Sequence, residues 1–140
     1  MGQLPASGAR PNVLAASAVD LFGREHVVHW CEELLSGAAS DSDPQFPDIA
    51  WLGGTVGWPD YWSRVWGARG LLHIGPPARG LIVLNGVRDG SWRVREMSLK
   101  VIARYQLSDP VGIVDGLTED PVERVRVAAW KALGREPEPR

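Results

Sequence analysis

The chain has 140 residues, a formal net charge of −2 at pH 7, 44% hydrophobic residues and 23% charged residues. These totals fit one globular domain. The single cysteine, Cys31, excludes an internal disulfide framework and fits a reducing compartment, so we expect a cytoplasmic protein. No apolar run approaches the ~18–20 residues needed to cross a bilayer, and we expect no membrane partner.

Charge is unevenly divided along the chain. Residues 1–58 contain two arginines and seven acidic residues, a net of −5, whereas residues 59–140 contain thirteen Lys or Arg and ten acidic residues, a net of +3. This polarity can orient a protein toward a charged partner. A chance scatter of charges explains the division at least as well.

The first predicted elements are helices. Apolar residues recur at helical spacing from about residue 12 to residue 35, where Gly23 is expected to divide a short helix from a longer one and Gly37 to end the second. Residues 38–58 form a long connection in which PDIAWL predicts one helical turn. The longer helix has an apolar face, and its charged residues, Glu32 and Glu33 among them, are predicted to lie opposite. That apolar face comprises Val27, Val28, Cys31, Leu34 and Leu35.

The rest of the chain predicts short helices that alternate with long ones. Long helices are expected over residues 61–74, 92–105 and 121–133, and short ones over about 78–87 and 109–117. Asp120 is predicted to cap the last long helix, with Pro121 in its first turn and Glu123 completing a capping box. Gly134 is predicted to end that helix.

Two long segments repeat one pattern. DGSWRVREMSLKVIAR, which begins at Asp89, matches DPVERVRVAAWKALGR, which begins at Asp120, at a step of 31 residues. Repeats of about 20–50 residues are typical of solenoids, whose stacked units share one core. A third, degraded unit is predicted at residues 64–72 with a shift of about 29 to 31 residues, which puts Trp66 where the repeats have arginine.

The repeated pattern resembles HEAT repeats, and most closely the short HEAT-like repeats first named for phycobilisome lyases. The resemblance covers residues 59–134. The matching positions in the last unit are Asp120, Val125, Arg126, Ala129, Ala132, Leu133 and Gly134, and those in the unit before it are Asp89, Val94, Arg95, Val101 and Ile102.

The resemblance implies an all-α fold, a short right-handed α-solenoid (an α–α superhelix) of HEAT-like helix pairs. Residues 12–58 would form an N-terminal helical cap, residues 1–11 and 135–140 flexible ends, and residues 1–140 a single domain. The family also implies a structural ladder between units. The pairs Asp89–Arg95 and Asp120–Arg126 are expected to form it.

Two rows of basic residues are the first candidate binding surface. Arg93, Lys100 and Arg104 share one face of their predicted helix, because positions i, i+7 and i+11 lie within about 40° of one another. Arg124, Lys131 and Arg135 hold the same positions one step later. Such rows on a concave face would attract phosphates or an acidic protein surface. An ordinary solvated face, with Glu96 pairing to Lys100, is the alternative.

Aromatic residues are the second candidate surface. Trp62 and Trp66 share a helix face and can contact a ligand, or they can seal the first repeat as part of the core. They belong to a larger aromatic group of Phe46, Trp51, Trp58, Tyr61, Trp62 and Trp66.

No catalytic or cofactor motif is present in the sequence. His26, His29 and Glu33 share a helix face but lack the further ligand of a zinc site, so we expect no metal and no cofactor. The sequence predicts a non-enzymatic protein-interaction scaffold or adaptor with an unidentified protein partner. The alternatives are a nucleic-acid-binding protein related in fold to the HEAT-like alkylpurine DNA glycosylases, and a homo-oligomer formed through open solenoid ends.

Overall fold

The computed structural model describes residue 4 and residues 8–135, and every regular element among them is helical, which confirms the all-α class. The predicted flexible ends fall largely outside these residues, since 1–3, 5–7 and 136–140 are not described. The α-helices are α1 (Pro11–Phe22), α2 (Arg24–Ser36), α3 (Tyr61–Ile74), α4 (Gly80–Gly86), α5 (Trp92–Tyr105), α6 (Ile113–Gly116) and α7 (Glu123–Ala132), and 3₁₀ turns occupy Ile49–Leu52 and Leu117–Glu119.

Glycines end the first two helices where the sequence predicts. Gly23 at φ 87° separates α1 from α2, and Gly37 at φ 84° ends α2 in the left-handed conformation that glycine adopts without a Cβ penalty. In the following connection, the Asp48 carboxylate accepts the Ala50 N–H at 2.9 Å and starts the 3₁₀ turn. The side chains of Trp51 and Leu52 are buried, so this turn packs on the body of the protein.

The long helices pack in chain order, α2 against α3, α3 against α5, and α5 against α7. Each contributes apolar residues to one continuous core. Gly67 and Gly70 let α3 lie close to α2, because a Cβ on Gly67 would come within 2.6 Å of the Cys31 carbonyl oxygen. Among the described residues, no helix is long and apolar enough to cross a membrane.

The 31-residue step extends one unit further toward the N-terminus than the sequence pattern indicated. Leu52, Val83 and Val114 lie 31 residues apart in three successive short helical segments, and all three are at most 2% exposed. A small residue also recurs at this step in the long helices, as Gly67 in α3, Ser98 in α5 and Ala129 in α7. The 3₁₀ turn at Ile49–Leu52, within the segment predicted as a cap, is therefore the short helix of a first unit completed by α3.

Arginine–aspartate contacts join successive units. The Nε and Nη2 atoms of Arg64 donate to the Asp89 carboxylate at 2.7 and 3.2 Å, and those of Arg95 donate to Asp120 at 2.9 and 3.2 Å. Both pairs span 25 residues. Arg64 is thus the equivalent of Arg95, which corrects the alignment that put Trp66 at the arginine position.

Within one unit the contact runs to the backbone instead. Arg95 Nη1 donates to the Asp89 carbonyl oxygen at 2.9 Å, and Arg126 Nη1 donates to the Asp120 carbonyl oxygen at 2.8 Å. The predicted ladder residues therefore do meet, but each carboxylate binds the arginine of the preceding unit. We call the two carboxylate contacts, Arg64–Asp89 and Arg95–Asp120, the ladder.

The capping predicted for Asp120 is wrong in its position. The Asp120 carboxylate accepts the Val122 N–H at 2.9 Å, and α7 begins three residues after Asp120, at Glu123. Asp89 does the same one unit earlier with the Ser91 N–H at 2.8 Å. The aspartate thus forms a turn that frees its carboxylate for the ladder, and the capping box to Glu123 does not form.

Glu32 departs from its predicted exposed position, since it is only 2% exposed. Its carboxylate accepts the Arg79 backbone N–H at 2.7 Å and Arg79 Nε at 3.0 Å, while Arg79 Nη2 reaches Glu33 at 3.1 Å. Hydrogen bonds to Glu32 and then Glu33 raise the pKa of Arg79. These contacts fasten the start of α4 to α2.

Candidate functional site

A groove between α5 and α7 brings together part of the predicted basic surface. The groove has a volume of about 370 Å³, and small apolar side chains from both helices form its floor. Ala103 and Ala128 leave space there that larger residues would fill. The lining consists of apolar Ala103, Val127 and Ala128, the cations Lys100, Arg124 and Lys131, and the acids Glu96 and Glu123.

Three of the six predicted basic residues line this groove. Lys100 on α5 and Lys131 on α7 are exposed, and Arg124 contributes a side chain that is 62% exposed. These three cations lie above an apolar floor, an arrangement suited to a partner that is apolar on one side and acidic along its edge.

The other three basic residues lie elsewhere. Arg104 stands 5.7 Å from the Tyr105 ring centroid, and its charge helps to lower the pKa of His73, after burial and Arg69. Arg135 follows the end of α7, because Gly134 at φ 70° turns the chain and the Arg135 N–H bonds back to the Trp130 carbonyl. It therefore does not continue the row of Arg124 and Lys131. Arg93 points toward aromatic rings.

Glu96 partly neutralises the groove. This residue is 8% exposed, accepts Arg124 Nε at 2.9 Å, and lies 4.0 Å from Lys100 Nζ. The sequence predicted its pairing with Lys100 but not the shorter contact across the helix interface. Glu96 therefore holds two cations at the groove edge in fixed positions.

Cation–π contacts connect the groove to the aromatic residues. The Arg93 guanidinium lies 4.5 Å from the Trp92 ring centroid and 5.1 Å from that of Trp62. Arg124 lies 5.2 Å from the Trp92 centroid, so Trp92 is shared by two arginines. Each such contact contributes about 0.5–1 kcal/mol at an exposed site. Sequence reasoning missed Trp92, although its place beside Arg93 was the available signal.

The predicted aromatic group separates into distinct clusters. Trp66 is 3% exposed and belongs to the core, with the half-buried Trp62 stacked on it at a centroid distance of 6.2 Å. Trp58, which is 50% exposed, packs edge-on to Trp62 at 5.6 Å. Phe46 and Trp51 pack on other rings near α1 and α2. Only Trp62 therefore adjoins the basic surface through Arg93.

The candidate ligand-binding histidine face is occupied by an internal contact. His29 Nδ1 lies 3.5 Å from Arg79 Nη2, and His29 Nε2 lies 3.8 Å from Glu33. Within residues 8–135, no three His, Cys, Asp or Glu side chains come together in a way that could hold a metal ion. Burial, with a smaller contribution from Glu32, raises the pKa of the Cys31 thiol, so this cysteine is a neutral core residue.

Comparisons with protein-family models, with curated proteins and with solved structures found no match to this chain. The groove between α5 and α7, with its cations and apolar floor, is the feature from which a function can be argued.

Proposed function

We propose that the chain is a non-enzymatic protein-interaction module, built as a short right-handed α-solenoid of HEAT-like units behind an N-terminal helical cap. The 31-residue step of Leu52, Val83 and Val114 supports this architecture. So does the ladder, because the same bidentate contact recurs between both pairs of successive units. The buried free thiol of Cys31 fits the proposed cytoplasmic location.

The single observation that supports this function best is the union of Lys100, Arg124 and Lys131 around one groove with an apolar floor. A helix with small apolar residues on one side can approach Ala103 and Ala128 closely, and acidic residues along its edges can meet the three cations. The partner is therefore proposed to present an acidic amphipathic helix. Its affinity should fall with rising salt, since exposed charges are screened.

Nucleic acid is a poorer fit to the same groove. Glu96 and Glu123 line it with carboxylates that would repel phosphate groups. The chain also has a net charge of −2. Trp62 and Trp92, which could stack on bases, hold Arg93 between them instead.

The test is quantitative affinity capture on the full chain with charge-reversed variants. The double variant Lys100→Glu/Lys131→Glu removes groove cations, and Arg10→Glu/Arg88→Glu changes the net charge equally at exposed residues outside the groove. We expect the groove variant to lose a defined protein partner that the wild type and the matched control both retain. The purified partner should then show the same order of affinities in calorimetry.

Two outcomes would contradict the proposal. Equal recovery of every partner by all three proteins would show that the groove is not the interface. Retention of the wild type on duplex DNA, lost with rising salt and lost in the groove variant alone, would assign the same cations to nucleic acid.

A further inference from the structure

The outer face of α7 carries a contact surface that is covered on the preceding long helix. On α5, Arg95, Leu99 and Ile102 lie on one side, at positions i, i+4 and i+7. Leu99 is 0% exposed, Ile102 is 3% exposed, and Arg95 binds Asp120 of the next unit. The residues one step later on α7 are Arg126, Trp130 and Leu133, and all three are only half-buried.

Arg126 is already held in the orientation of a ladder arginine. Its Nη1 atom donates to the Asp120 carbonyl oxygen at 2.8 Å, as Arg95 Nη1 does to the Asp89 carbonyl oxygen at 2.9 Å. In Arg95 this orientation presents Nε and Nη2 to a carboxylate. Among residues 8–135, no carboxylate lies within ion-pairing distance of Arg126. The face therefore offers a preformed site for a bidentate carboxylate, next to the large apolar ring of Trp130.

We propose that a second copy of this chain docks on this face, end to end, and supplies Asp48 to Arg126. Asp48 has the local geometry of the ladder aspartates. Its side chain accepts the N–H of the residue two positions on, Ala50, at 2.9 Å, as Asp89 accepts that of Ser91 at 2.8 Å. A helical turn, Ile49–Leu52, follows it directly, and Asp48 itself is exposed.

Position and charge both favour this contact. The turn at Ile49–Leu52 packs against α1 and α3, at the other end of the row of helices from α7. Residues 1–58 carry a net charge of −5 and residues 59–140 carry +3, so head-to-tail association places opposite charges together. Because such a contact joins two different surfaces, it propagates into open chains whose length grows with protein concentration.

The test is sedimentation equilibrium of the full chain over a wide concentration range. We expect the wild type to associate reversibly, and the single variants Arg126→Asp and Asp48→Arg each to remain monomeric. Arg88→Asp, which changes an exposed arginine away from this face, should associate like the wild type. Trp130→Ala should weaken association, with thermal unfolding used to confirm that each variant is folded.

Mixing the two charge variants makes the test specific to direction. The Asp48→Arg protein keeps Arg126, and the Arg126→Asp protein keeps Asp48, so the mixture can form one head-to-tail contact and no more. We expect dimers in the mixture and monomers in each separate solution. A wild type that is monomeric throughout, association unaffected by either single variant, or a mixture that stays monomeric would overturn the proposal.

Discussion

The guanidinium of Arg124 on α7 donates from Nε to a carboxylate oxygen of Glu96 on α5, at a distance of 2.9 Å. This contact crosses the edge of the groove and offsets one of its three cations. Replacement by Glu96→Gln keeps the shape and removes the charge. We expect the acidic partner to bind up to about fivefold more tightly, as an exposed ion pair is worth ~0–1 kcal/mol.

The measurement is titration calorimetry at low and moderate salt. Glu119→Gln is the control, since Glu119 is exposed and does not line the groove. Equal affinities for the wild type and Glu96→Gln would show that Glu96 does not oppose the partner's charge.

Gly67 sets the distance between α2 and α3. A Cβ at this position would lie 2.6 Å from the Cys31 carbonyl oxygen and 2.9 Å from Leu34 Cβ, so two helices must separate to admit it. Gly67→Ala is expected to lower the free energy of unfolding by about 1–3 kcal/mol. Gly80→Ala, where no atom lies within 4 Å of the added Cβ, should be neutral or slightly stabilising. Chemical denaturation of both variants checks this, and equal stabilities would contradict it.

Ser98 lies at the equivalent position in α5 and is fully buried, with no hydrogen-bond partner for its hydroxyl. An unsatisfied buried hydroxyl costs about 1–3 kcal/mol, so Ser98→Ala should stabilise the protein by roughly 1 kcal/mol. The natural residue one step later is Ala129, which is also 0% exposed. The check is the midpoint of thermal unfolding, and a fall in that midpoint would indicate a hydrogen bond made by Ser98.

Cys31 should be inert in the folded protein. Its thiol is completely buried between α2 and Gly70 of α3, and burial raises its pKa, which leaves no thiolate to react at neutral pH. A disulfide reagent is expected to label it only as fast as the fold opens, and at once in denaturant. Rapid stoichiometric labelling under native conditions would contradict its place in the core.

Local sequence signals were sufficient to predict most helices. The bounds of α3 and α5 agree with the predicted residues 61–74 and 92–105, because apolar spacing and the residues that end a helix are properties of neighbouring positions. The burial of Glu32 was not predictable in this way. Its partner Arg79 is 47 residues distant, and a glutamate is normally exposed unless it is paired.

The first unit was aligned wrongly for a similar reason. Trp58 stands one step before Asp89, so the aspartate that marks the repeat is missing there, while the equivalent arginine, Arg64, is present. The basic rows were only partly predicted, since helical spacing does not reveal that α7 ends at Ala132 or that Trp92 attracts Arg93. Contacts between helices decide which cations share a surface.

The register of the ladder is the relationship on which both the groove and the end face depend. A double-mutant cycle on Arg95→Ala and Asp120→Ala measures it directly, because the cycle cancels the separate loss of the Asp120 turn. The side chains of Arg95 and Asp120 are 15% and 6% exposed, and we expect a coupling of about 2–3 kcal/mol. The matching cycle on Asp89 and Arg95 should give less than about 0.5 kcal/mol, because Arg95 binds the backbone of Asp89. A large coupling within the unit together with a small one between units would contradict the stacking described for this chain.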